Sequence, residues 1–439
     1  MKTAAFYTLG CKVNQYDTEA MAEAFEKAGF KRVSFEDAAD VYVINTCTVT
    51  GLSSRKSRQA IRRAKQLNKN AIIAAVGCYP QTAREEVEKM PEVDIIAGTS
   101  DRLKLPEYVA AFMAGRDLDG KGKLSVVGGI MNNRVFEDLK ITSYKERARA
   151  FIKVQDGCNR FCSYCIIPYA RGPVRSRPAE EVVDEIKKVA DAGFKEVVLT
   201  GIHLASYGID IGRHMRLPDL IALIHEVDGI ERIRISSIEP TLITDEFVAA
   251  VSGMKKLCPH YHVSLQSGCD ETLKRMNRRY TAEEYKKAIN RLRENIPDVA
   301  VSTDIMVGFP GETDEEFEKT YKFLEEIKFS RMHVFKFSPR KGTPAATFPG
   351  QVDDRVKEER SKRVIELSER CASEFIRMHA GREMPVLYEH EARTGDNVFE
   401  GLTPNYIRVL AKGNNNLIGD IRETLIVREE NGCAVGEIR

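Results

Sequence analysis

The chain has 439 residues, 43% hydrophobic and 30% charged, enough to bury two or three cores. A formal net charge of +2 neither demands nor excludes a polyanionic partner, which would need a local basic surface. Met1 to Phe6 runs straight into a strand pattern with no leader-like segment, and no run approaches a membrane span. A cytoplasmic, multidomain protein without a membrane partner is expected. Ten cysteines spread over this length argue against a secreted disulfide framework and favour reduced thiols or metal ligation.

Residues 1–113 repeat one plan three times: an apolar strand, a cysteine at its C-terminal end, then a helical pattern. The strands are Thr3 to Leu9, Val41 to Thr46 and Ala71 to Gly77, ending at Cys11, Cys47 and Cys78. Such alternation implies a parallel sheet in an α/β sandwich, and ligands of these sheets sit at the carboxyl ends of the strands. The three thiols are therefore expected to converge on one site. After Cys47, the positions Arg55, Arg58, Arg62, Lys65 and Lys69 form one helical stripe opposite Ala60, Ile61, Ala64 and Leu67. This stripe reads either as a solvated face or as a phosphate-tracking surface with no acids interleaved.

Residues 114–143 lose the rhythm and read as a linker. From 144 to 374 it returns, with strands near Ala150 to Gln155, Glu196 to Thr200, Arg232 to Ser237, His260 to Leu265, Val299 to Val307 and Arg331 to Phe337. Thr281 with Glu284, and Thr313 with Glu316, are capping boxes opening two of the intervening helices. Six strand-helix units predict a partial parallel (β/α)6 barrel, closed by a helix over about 352–379. Thr200-Gly201, Ser264 and Gln266 fall on its functional rim; His203 could bind a ligand or cap a loop.

Directly after the first barrel strand comes Cys158-x3-Cys162-x2-Cys165. The spacing suits a loop giving three thiolates to an iron-sulfur cubane and leaving one iron open. Structural zinc would want a fourth protein ligand, and none is near in sequence. Cys258, Cys269, Cys371 and Cys433 read as ordinary small core residues.

Residues 375–439 change to short strands: Pro385 to Glu389, Tyr406 to Ala411, Leu417 to Arg422 and Leu425 to Arg428, with a hairpin turn at Gly413-Asn414-Asn415-Asn416. A small antiparallel β-barrel, a frequent nucleic-acid module, is expected. Acidic residues outnumber basic ones here, so any RNA contact must use a local patch.

Two cysteine sets in this order, followed by the small barrel, make the chain resemble the radical S-adenosylmethionine (SAM) methylthiotransferases, whose last domain is of the TRAM type. The run Gly10-Cys11-Lys12-Val13-Asn14-Gln15-Tyr16-Asp17-Thr18-Glu19 resembles the branch acting on N6-threonylcarbamoyladenosine in tRNA. The resemblance implies that Cys158, Cys162 and Cys165 hold a 4Fe-4S cluster whose open iron chelates SAM. It likewise implies an auxiliary 4Fe-4S cluster on Cys11, Cys47 and Cys78 carrying the inserted sulfur. Tyr164 would lie along the cofactor's adenine, with Thr200, Gly201, Ser264 and Gln266 toward its methionine and ribose. The target would be adenine C2 at position 37 of a tRNA anticodon loop, with a flavodoxin- or ferredoxin-type electron donor. The alternatives are the same chemistry on N6-isopentenyladenosine or a ribosomal-protein aspartate, and a non-catalytic iron-sulfur RNA-binding protein.

Overall fold

The computed structural model describes residues 1–115, 122–139, 141, 148–212, 215–392, 397–413 and 417–439. The hairpin turn expected at 413–416 therefore falls largely outside the described residues.

The N-terminal sheet is wholly parallel and has six strands, in the order Lys31–Val33, Thr3–Thr8, Val41–Thr46, Ile72–Gly77, Ile95–Ala97, Leu124–Val126. The three expected strands form its centre, and Val41–Thr46 is buried along its whole length. Three outer strands of three residues each join them. Leu124–Val126 lies within the segment expected to be a linker, whose Leu139 and Ile141 also pack on Tyr16 and Ala20. Apolar clusters on both faces of the sheet make it a sandwich.

The six expected barrel strands form two three-stranded parallel sheets. Arg149–Lys153, Glu196–Thr200 and Arg232–Ile235 make the first; His260–His262, Ala300–Val307 and Arg331–Lys336 make the second. Single parallel bridges, Ile233 to Leu257 and Ile238 to Val263, join the two halves into one partial barrel. The strand expected to reach Leu265 stops at His262; beyond it only single bridges form, at Val263 and at Gln266, whose φ of 74° breaks the extended backbone. Both capping boxes form: Thr281 and Thr313 each accept an N3 amide hydrogen while Glu284 and Glu316 reach back. Helix Asp354–Arg377 packs on the last barrel strand.

The C-terminal module is a closed five-stranded barrel: Glu383–Glu391, Val398–Leu402, Arg408–Lys412, Ile421–Glu430 and Cys433–Ile438. It is not purely antiparallel, because Arg408–Lys412 and Cys433–Ile438 pair in parallel. Of the segments Leu417 to Arg422 and Leu425 to Arg428, expected as separate strands, the first is mostly a turn over 417–420, and its last two residues join the second in the one strand Ile421–Glu430, paired on both sides. No described helix is long and apolar enough to cross a membrane.

Candidate active site

Each cysteine set sits where chain direction delivers it. Cys11 caps the helix Lys12–Lys27, Cys47 follows the central strand, and Cys78 opens the short helix Cys78–Thr82. These strands are parallel neighbours, so their carboxyl ends meet at one edge. Cys47 feels the charge of Cys11, and Cys78 that of both Cys47 and Cys11. A Cβ on Gly10, whose φ is +110°, would lie 3.2 Å from Cys47 Sγ, so only glycine lets the Cys11 turn come this close. Cys11 is exposed, Cys47 and Cys78 buried.

The second set lies in the loop after Gln155–Asp156. A Cβ on Gly157 would collide with the Pro173 carbonyl, which fixes the entry to the loop. The loop is tied down by its backbone: Cys158 N–H donates to Gly172 O and Ser163 N–H to Met276 O, both at 3.0 Å, and Asn277 donates to Phe161 O at 2.9 Å. Arg160 N–H points at Cys158 Sγ (3.4 Å) and an Arg278 guanidinium nitrogen at Cys162 Sγ (3.5 Å).

All ten cysteines are free thiols. Burial pushes Cys158 and Cys78 up to about 11 and Cys165 up to about 12, so ligation must displace their protons. Among the described residues no three His, Cys, Asp or Glu side chains close around a single metal ion. The donors nevertheless fit a cubane, which spreads its thiolates over separate irons: three soft sulfurs per set, with N–H groups aimed at two of them. Each set could hold one cluster and leave one iron without a protein ligand.

One short helix, Ile167–Arg171, separates the sets. It begins two residues after Cys165, packs against Cys78–Thr82, and accepts a 2.6 Å hydrogen bond from Thr99 Oγ1 at the Ala170 carbonyl. Arg171 at its end sits beside Cys78 and Cys11. On the other side Arg340 donates to Thr48 Oγ1 (2.7 Å) and Ser54 Oγ (2.9 Å), next to Cys47.

Arg171 belongs to a buried ion network that joins the two regions. Asp17, from the Cys11 helix, meets Lys153 and Arg171 at 2.9 Å and Arg102 at 3.0 Å; Asp156 meets Lys153 at 2.6 Å and Arg171 at 3.1 Å. Burial alone would raise the Asp156 carboxyl, but Arg171, Lys153, Arg175 and Arg102 outweigh it and hold it well below the usual range. Glu185 continues the seam, taking hydrogen bonds from Arg177 and Tyr16.

A second polar group lines the rim beside the Cys158 loop. Glu239 pairs with Arg160 at 2.9 Å, His203 at 3.0 Å and Arg278 at 3.2 Å. Burial raises Glu239, but the His203 hydrogen bond and the Arg278 charge prevail and bring it down to about 2. Neither Glu239, Arg278 nor Arg171 was singled out by spacing. The available signal was a charged residue ending the otherwise apolar run Ile166 to Ala170.

The expected cofactor contacts distribute unevenly. Thr200 ends its strand beside the Cys158 strand, accepting from Val154 N–H at 3.0 Å, and Gly201 presses on Gln155, where a Cβ would lie 2.8 Å from Oε1. His203 caps its loop, its N–H donating to Gln155 at 2.7 Å. The Ser264 carbonyl accepts from Arg278 at 3.1 Å, so that guanidinium ties it to Cys162. Gln266 is held by backbone bonds to Asp304 and Met306. Tyr164 packs edge-on to Phe309, ring centres 6.4 Å apart. The basic helix spans Gly51–Leu67, but acids from neighbouring segments reach its stripe: Arg62 faces Glu92 at 3.6 Å and Lys65 faces Asp94 at 3.5 Å. Arg55 and Lys56 are exposed, with no partner among the described residues.

Comparison with known proteins matches residues 152–324 to the radical SAM superfamily and residues 3–98 to the uncharacterized protein family UPF0004. A Bacillus subtilis protein named threonylcarbamoyladenosine tRNA methylthiotransferase MtaB is 45% identical over 98% of this chain and 94% of its own length. The chain belongs to the radical SAM methylthiotransferases. As a member, it is an enzyme that transfers a methylthio group and works with SAM and two 4Fe-4S clusters. An Aquifex aeolicus protein of the same name as the Bacillus one is 42% identical over 93% of this chain and 96% of its own. A Pelotomaculum thermopropionicum protein named tRNA-2-methylthio-N(6)-dimethylallyladenosine synthase is 36% identical over 96% of this chain and 94% of its own. Among solved structures, the radical SAM methyltransferase TsrM from Kitasatospora setae shares the fold with a TM-score of 0.57 at 17% identity, covering 79% of this chain and 74% of that one.

Proposed function

We propose that this enzyme inserts a methylthio group at C2 of N6-threonylcarbamoyladenosine, position 37 of the tRNA anticodon loop. The observation that carries the reading is the placement of two cysteine sets on either side of the single helix Ile167–Arg171, in a chain 45% identical to a relative named for that reaction. In this reading Cys158, Cys162 and Cys165 hold one cluster and Cys11, Cys47 and Cys78 the other. When bound, the first supplies the electron that cleaves SAM to a carbon radical and the second carries the sulfur.

The chain's own residues do the positioning. Arg278 holds Cys162 and the Ser264 loop together, and Glu239 anchors Arg278 and Arg160 across the rim where the methionine end of SAM would lie. Tyr164, Thr200, Gly201 and Gln266 complete that face. Arg171 and Arg340 place positive charge against Cys11, Cys47 and Cys78, which suits an anionic thiolate-bound group. An unpaired anticodon base can be splayed out of its loop to reach both sets. The exposed Arg55 and Lys56 and the C-terminal barrel would hold the RNA backbone. The reaction places the enzyme in the cytoplasm and requires a low-potential donor of flavodoxin or ferredoxin type.

Anaerobically reconstituted protein, given SAM, a reductant and an anticodon stem-loop bearing threonylcarbamoyladenosine, should yield 5′-deoxyadenosine and the 2-methylthio nucleoside by mass spectrometry. Modification of an isopentenyladenosine stem-loop alone would overturn the reading.

A further inference from the structure

A cavity of about 970 Å³ lies between the barrel strands from Ile235 to His333, the start of the Lys12 helix, the C-terminal half of helix Asp354–Arg377, and the 405–408 and 429–433 segments of the C-terminal barrel. It begins beside one cysteine set, because Lys12 directly follows Cys11. Its lining mixes apolar side chains such as Phe335 and Ile407 with a polar cluster at the barrel strands. His260 Nε2 and His262 Nδ1 share Ser302 Oγ at 3.0 and 3.1 Å, and His262 Nε2 faces Asp304 at 3.2 Å. Two buried polar atoms in the lining, Ser236 Oγ and His260 Nδ1, have no hydrogen-bond partner among the described residues.

The charge around Lys12 is unbalanced. Arg149, Arg232 and Arg234 share the carboxylates of Glu196 and Glu389, and their remaining bonds go to backbone carbonyls such as Leu402 O and Thr403 O. Lys12 itself makes no hydrogen bond or ion pair among the described residues. The Tyr406 ring stacks on His260 at 4.4 Å beneath Arg234, forming a polar, cation-rich floor.

A prenyl group entering here would strand these donors and acceptors, each at a desolvation cost. A substituent bearing a carboxylate, a hydroxyl and urea N–H groups would satisfy them. The N6 substituent and C2 lie on the same edge of adenine, so a base offering C2 to sulfur at Cys11 brings that substituent to the next residue. Resting on the reaction proposed above, we propose that this cavity receives the threonylcarbamoyl group and that Lys12 binds its carboxylate.

The test compares stem-loops carrying threonylcarbamoyladenosine, its methyl ester and isopentenyladenosine, by fluorescence anisotropy and by methylthiolation. Wild-type protein should bind the acid about 10- to 100-fold more tightly than the ester, the range for a hydrogen bond to a charged group. Lys12→Gln should bind acid and ester alike, and Lys12→Arg should recover part of the difference. Equal wild-type affinity for acid and ester, or an undiminished preference in Lys12→Gln, would overturn the cavity assignment while leaving turnover of the threonylcarbamoyl stem-loop intact. Turnover of the isopentenyl stem-loop alone would overturn both proposals.

Discussion

Cys158, Cys162 and Cys165 occupy one loop; Cys11, Cys47 and Cys78 hang from the ends of three strands. The loop needs only its own backbone, Gly157 and a few ties to Gly172, Met276 and Asn277 to hold its shape. The distributed set needs the order of the parallel sheet to exist at all, since nothing local brings Cys11 to Cys47 except Gly10. A local site tolerates strain elsewhere in the fold, whereas a distributed one inherits every shift of the elements that carry it.

The sharpest way to break the comparison is to delete each set. Cys162→Ala should lower iron from about eight to about four per chain and abolish 5′-deoxyadenosine formation. Cys47→Ala should lose the same iron but keep reductive SAM cleavage while losing methylthiolation. Loss of cleavage in both variants would mean that the sets are not separable in function.

Next in size is the seam between them. Arg171→Met removes a buried partner of both Asp17 and Asp156 and should cost about 3–5 kcal/mol in chemical denaturation. The distributed set should lose its iron before the loop does. Equal loss from both would show that the loop, too, depends on the seam.

A pH effect of smaller size separates the second half-barrel from the cysteine regions. Burial, then the charges of Arg234, His262 and Lys12, holds His260 well below its ordinary 6.5. The unfolded chain therefore binds the extra proton first, and stability present above pH 6.5 should fall by about 1.4 kcal/mol per pH unit below it. His260→Gln should flatten that slope between pH 6.5 and 5.

The smallest effect concerns RNA. Arg55→Glu with Lys56→Glu should weaken tRNA binding and reduce the salt slope by about 1–2. Arg62→Glu should do less, because Glu92 already faces that side chain.

Much of this was legible in the sequence, for identifiable reasons. The six barrel strands and both capping boxes follow local rules of periodicity and side-chain reach, and they stand close to where those rules put them. The outer strands Lys31–Val33, Ile95–Ala97 and Leu124–Val126 were missed because three residues are too few for alternation to show. Val398–Leu402 carries Glu400 and Gly401 in mid-strand, and the run before Cys433–Ile438 ends in a turn at Asn431, so neither advertised itself. In the site, the loop cysteines were visible from spacing and the others from strand ends. Glu239, Arg278 and Arg171 were not, because their burial is created by partners far away in the chain. The basic stripe looked unneutralised for the same reason: Glu92 and Asp94 come from outside the helix.

The ion seam also bears on how such enzymes could be recombined. Asp17 and Arg102 come from the N-terminal sheet region, Lys153, Asp156 and Arg171 from the barrel, and every one is buried. A chimera that grafts one relative's N-terminal region onto another's barrel must import charges matched across this seam. A cut just before Arg149 would place the mismatch beneath both cysteine sets, so substrate preference is more readily exchanged at the cavity lining than by swapping whole domains.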